Sequence, residues 1–99
     1  MLEHFTAATF DERLGETFRV RAGDSTLELQ LLAVTEARVR PGDAPRARTP
    51  FSILFRGPLE PVLPQATYPL ENDAVGTFEL FIVPVGPDEG EMQYEAVFG

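Results

Sequence analysis

The residues able to do chemistry are few, and their spacing limits what they can do. His4 is the only histidine and lies in the first turn of chain, where a frayed backbone cannot hold a general base in place. Cysteine and lysine are absent. That removes disulfides, thiolate metal sites and a cysteine nucleophile, and leaves no convincing nucleophile–base pair. Ser25 reads as a turn residue and Ser52 as a strand residue. Glu89/Glu91 and Glu71/Asp73 are paired carboxylates of the kind used in acid–base work. Both pairs fall at predicted turns, which favour these residue types for their own reasons. Asp88-Glu89-Gly90-Glu91 offers oxygen ligands to a hard cation such as Ca²⁺, but lacks the alternation and length of a calcium loop. The reading is therefore non-enzymatic, with no catalytic residue, no metal site and no cofactor assigned.

Arg56 is the one candidate for a ligand contact. It follows Ile53-Leu54-Phe55 and precedes Gly57-Pro58, so its stem packs while its guanidinium sits at a strand end. It satisfies carbonyls at the turn, or pairs with Glu71 or Glu95, or grips the carboxylate of a partner.

The elements that position these residues follow from hydrophobic period. Thr6–Leu14 predicts a short helix, with Phe10 and Leu14 on one face. Thr9 with Glu12 fits a capping box, Thr6 is an alternative cap, and Gly15 is a stop. From Glu16 the period becomes two. Phe18, Val20 and Ala22 face inward; Gly23-Asp24-Ser25 turns; Leu27, Leu29, Leu31 and Ala33 face inward on the return strand. Glu36–Thr49 is a polar loop carrying Arg38, Arg40, Arg46 and Arg48, the alternative place for an anion.

Phe51, Ile53 and Phe55 share a face of the next strand, which Gly57-Pro58 ends. Leu59–Ala66 reads as an extended proline-rich connection, and Thr67–Leu70 as a short strand whose Pro69 argues for an edge. After an Asn72–Gly76 turn, Phe78, Leu80 and Ile82 point one way in Thr77–Val83; Pro84–Gly90 reads as a loop. Met92, Tyr94, Ala96 and Phe98 alternate in a final strand. About six strands and one early helix predict a mainly β domain over residues 1–99, an antiparallel barrel or sandwich.

Leu32, Val34, Leu54, Phe81 and Val83 are apolar on the other strand faces. They either fill a second buried layer or form the interface of an oligomer or larger assembly.

The formal charge is −8, from eight arginines against sixteen acids. Every arginine lies at or before Arg56, and from Gly57 onward the chain carries acids only. No net basic face is available for phosphate, which argues against nucleic acid. No apolar run reaches the length of a membrane helix, and Met1-Leu2-Glu3-His4 lacks the basic start of a signal peptide. The expectation is a cytoplasmic protein that can still be built into an exported assembly.

The phrases Phe51-Ser52-Ile53-Leu54-Phe55-Arg56-Gly57-Pro58 and Val83-Pro84-Val85-Gly86-Pro87 resemble a family of small bacterial proteins of unknown function. The opening Thr6-Ala7…Phe10…Leu14-Gly15 and the closing Tyr94-Glu95-Ala96-Val97-Phe98 extend the resemblance over almost the whole chain. Ala66 stands where that family has glycine, and Asn72-Asp73 where it has His-Pro. The resemblance carries a loose association with phage-tail-collar-like proteins and assigns no catalytic residue. The second-face apolar residues point to an interaction or assembly module with a protein partner or further copies of itself, and the resemblance implies a role accessory to a tail-like or secreted structure. The alternative is a β-barrel that binds a small ligand or anion at Arg56.

Overall fold

The computed structural model describes residues 5–37, 41–42 and 49–99. His4 and the four arginines of the 36–49 loop lie outside the described residues. The elements are α1 (Ala7–Asp11), β1 (Thr17–Ala22), β2 (Ser25–Glu36), β3 (Phe51–Gly57), β4 (Ala66–Asn72), β5 (Gly76–Asp88) and β6 (Glu91–Phe98).

The six strands close into an antiparallel barrel in the order β1-β2-β3-β6-β5-β4. The chain makes two three-stranded meanders, β1–β2–β3 and β4–β5–β6, which meet along two seams. One seam, β3–β6, carries seven residue pairs from Phe51↔Phe98 to Gly57↔Met92. The other, β1–β4, carries only Arg19↔Glu71 and Val20↔Leu70. The pair beyond would be Arg21 with Pro69, whose ring nitrogen has no proton to give. Pro69 thus marks the end of a ladder, although closure leaves β4 between two neighbours rather than at an edge. Exchanging one meander for the other leaves the strand order unchanged, so the barrel has a pseudo-two-fold axis.

Each meander has one irregularity, in its long middle strand. In β2, Leu31 pairs with Phe55 and Ala33 with Leu54, so Leu32 is an extra residue. In β5, Pro84 pairs with Tyr94 and Gly86 with Gln93, so Val85 is extra. An extra residue inverts the alternation beyond it. Val34 consequently pairs with inward-facing Ile53 and packs against the core, while Ala33 turns outward. This corrects the expected facing of both residues. The second bulge also corrects the expected loop at residues 84–90. The strand runs on to Asp88, and only Glu89-Gly90, both with positive φ (51° and 81°), form the hairpin turn.

Helix α1 is shorter than its pattern predicted. Thr6 is the cap: its backbone N–H donates to Thr9 Oγ1 at 3.1 Å, and the box with Glu12 is not used. Leu14 stays exposed, and only Phe10 enters the core. It fills one mouth of the barrel, with ring centroids 5.3–6.2 Å from Phe5, Phe18, Phe51, Phe78 and Phe98. Such offset and edge contacts add to burial.

The other mouth is crossed by residues 58–65, because β3 and β4 stand three places apart in the ring. Leu63 drops into the core from this strap. The only two tyrosines hold it: Leu63 N–H donates to the Tyr94 hydroxyl at 2.9 Å, and the Tyr68 hydroxyl donates to Pro64 O at 2.6 Å. Both ends are closed by the segment that precedes a meander, as the pseudo-symmetry requires.

Candidate functional site

Inside the barrel the side chains leave no polar group seeking a ligand: among the described residues no buried side-chain nitrogen or oxygen lacks a partner. A barrel of six strands is narrow enough for side chains alone to fill it. Candidate chemistry therefore lies on the outside, where three regions differ in character.

The first is the outer face of β3, β6 and β5. Register places Leu54 beside Glu95 and Glu95 beside Val83, in one row across the three strands. Two residues further along lie Val97 on β6 and Phe81 on β5, the latter paired with Thr67 of β4. Val97 is 71% exposed and Phe81 48% exposed. Of the eight phenylalanines, Phe81 alone is an exposed one. Glu95 is half-buried between Leu54 and Val83, and its side chain has no ion pair among the described residues. The face is thus an apolar cluster with one unpaired carboxylate inside it.

Of the five expected interface residues, Leu54, Phe81 and Val83 come together here. Leu32, half-buried, sits at the β2 bulge, and Val34 is turned into the core. Val97 belongs to the cluster and was not singled out by the sequence. Its alternation with Ala96 and Phe98 places it outward, which was the available signal.

The second region surrounds Arg56. The expected partners were Glu71 or Glu95; the actual ones are Gln30 and Glu91. Register sets Arg56 opposite Gln30 on β2 and Gln93 on β6. Its Nε donates to Gln30 Oε1 at 2.6 Å, and Nη1 lies 3.4 Å from Glu91 Oε1. Gln30 in turn donates to Gly15 O at 3.0 Å. Arg56 thereby ties the helix-to-β1 connection to the β5–β6 hairpin. The furrow beside it, about 310 Å³, is also lined by Glu28 and Glu91. One guanidinium between two carboxylates offers no net attraction to an anion. Gly57 forms part of its floor, where a Cβ would stand 2.5 Å from Leu29 Cδ2. The bare glycine lets β3 approach the core leucine of β2.

The third region is the short β1–β4 seam. Arg19 donates from Nε to Glu71 Oε1 and from Nη2 to Asp73 Oδ1, each at 2.8 Å. Its hydrogen bonds to Asp73 first and Glu71 second push its pKa upward, so it stays charged at any relevant pH. Below this pair Asn72, 3% exposed, reaches back to β1. Its amide nitrogen donates to Glu16 Oε1 (3.2 Å) and Thr17 O (3.1 Å). Where the ladder stops, a groove of about 520 Å³ opens, lined by Arg19, Arg21, Thr26, Pro69, Leu70 and Thr77 among others. Arg21 has no side-chain partner among the described residues.

The paired carboxylates are taken up by neighbours or by the turn. Glu71 and Asp73 are both engaged by Arg19, Glu91 lies 3.4 Å from Arg56 Nη1, and Glu89 sits in the hairpin turn with φ of 51°. Among the described residues, no three of His, Asp or Glu converge as metal ligands. Among the described residues no helix is long and apolar enough to cross a membrane.

Fold and surface together define an all-β protein, a closed six-stranded barrel with plugged ends and its distinctive chemistry outside. The chain belongs to the family described as Domain of unknown function (DUF6916), whose model matches residues 5–98. No curated protein and no solved structure matches it.

Proposed function

We propose that the protein is a non-enzymatic interaction or assembly module that docks through the outer face of β3, β6 and β5. The observation that carries this reading is the cluster of Leu54, Phe81, Val83 and Val97 around Glu95. Phe81 has room in sequence terms to be polar, since Thr67 opposite it is exposed and hydrophilic. An aromatic side chain held out to water on a rigid strand is the usual anchor of an interface. The partner is a protein or another copy of the chain, and a tail-like or secreted assembly is a setting that suits such a module. Synthesis in the cytoplasm suits it equally.

A small-anion site at Arg56 is the weaker reading, because Glu28 and Glu91 share its furrow. The test is a photo-crosslinking residue in place of Phe81, with another in place of Asp24 at the β1–β2 turn as control. In the native host the position-81 probe gives a discrete adduct and the position-24 probe does not. Equal labelling at both positions, or none at 81, removes the reading.

A further inference from the structure

We propose that copies of this chain associate head to tail, the Glu95 face of one copy seated on the Arg21 groove of the next. The inference rests on the β3–β6–β5 face being a docking surface and names its occupant. In the ring β1-β2-β3-β6-β5-β4, β6 stands three places from β1, so Glu95 and Arg21 lie on opposite sides of the barrel, while Phe81 on β5 stands beside β4. One side presents apolar side chains around an unpaired carboxylate. The other presents an unpaired guanidinium, Arg21, at the rim of a groove lined by Leu70 and Pro69, whose one carboxylate, Glu71, is already engaged by Arg19. The groove exists because the β1–β4 ladder stops after Val20↔Leu70. Its volume, about 520 Å³, exceeds that of a phenyl ring, and Arg21 has no side-chain partner of its own among the described residues.

A symmetric dimer built on the same apolar face is disfavoured. A two-fold axis near β6 would set Glu95 against its own counterpart, the cation on that face, Arg56, being already engaged by Gln30 and Glu91, and like charges across an interface suppress pairing. Two different, complementary surfaces do not saturate at two copies; they generate rings or filaments. The net charge of −8 opposes this association at long range. It is therefore measured at about 0.15 M salt, where charges more than about 8 Å apart are largely screened.

The experiment is light scattering on size-exclusion fractions of the full chain over a concentration series. The wild-type mass rises past two chains with concentration. Arg21→Glu and Glu95→Arg each weaken association by about tenfold or more, since each leaves like charges at the junction. Both residues lie on outer strand faces, so unchanged thermal melts confirm that the variants are folded. An equimolar mixture of the two variants regains the wild-type behaviour, because both junctions of an alternating assembly are complementary. A wild type that stays monomeric, or an Arg21→Glu variant that associates like wild type, overturns the proposal. Either result with a position-81 crosslink to a different protein leaves the docking reading standing. Loss of that crosslink removes the reading as well.

Discussion

Asn72 uses the full capacity of its amide. The nitrogen donates to Glu16 Oε1 and Thr17 O, and the oxygen accepts the N–H groups of Ala74 and Val75 at 2.9 and 3.0 Å. One side chain shapes the β4–β5 turn and holds it to the start of β1. Asn72→Ala would strip acceptors from two partly buried backbone donors and remove the polar link across the weaker seam. The expected cost is about 2–4 kcal/mol, seen as a lower urea midpoint with unchanged slope. The turn itself was readable from Asn72-Asp73. The bond to Thr17 was not, because barrel closure brings together residues 55 apart. The same holds for Arg56. Its position at a strand end was legible, but its partners depend on which strands flank β3.

At the scale of elements, alternation placed Phe51, Ile53 and Phe55, and likewise Phe78, Leu80 and Ile82, on the face that the barrel buries. It failed wherever a bulge intervened. Nothing in the residue types near Leu32 marks an extra residue, and the Pro-Val-Gly-Pro run around Val85 has the composition of a loop. The strap over the second mouth offers a pH test. Burial, with the neighbouring Tyr94 charge second, raises the Tyr68 pKa above its ordinary 10.0. The fold thus favours the neutral phenol, which donates to Pro64 O. That contribution is complete below the unfolded value and is lost as pH rises through the higher folded one. Thermal stability should hold from neutrality to about pH 9 and fall above about pH 10. Tyr68→Phe should lower the plateau by about 0.5–1 kcal/mol and flatten part of the alkaline fall. An alkaline fall of the same size in the variant would contradict this role.

For the whole molecule, six strands and one helix could be counted in the sequence, but not whether they formed a barrel or a sandwich. That choice is made by the two seams, whose strands are distant in sequence and carry no local mark of each other. The charge boundary at Arg56 acquires a meaning here. It coincides with the junction of the meanders, so the second meander, β4–β5–β6, is wholly acidic. The seams also differ in strength, seven pairs against two. Native-state hydrogen exchange should therefore protect β3 and β6 amides more than those of β1 and β4 that face each other. Equal protection at the two seams would mean that Asn72 and the Arg19 ion pairs compensate for the missing ladder.

The placement of β6 has a consequence for how the protein is made. It is the last of the six strands to leave the ribosome, yet its slot lies between two strands already synthesised, β3 and β5. At about 5–20 residues per second, the nascent chain spends roughly a second or two with both of those edges bare. Neither meander can complete the enclosure alone, and Phe98 stacks on Phe51 at 4.5 Å only when β6 is in place. Translation that stalls short of Phe98 therefore yields an open sheet with two adhesive margins, a target for chaperones, and not a smaller barrel.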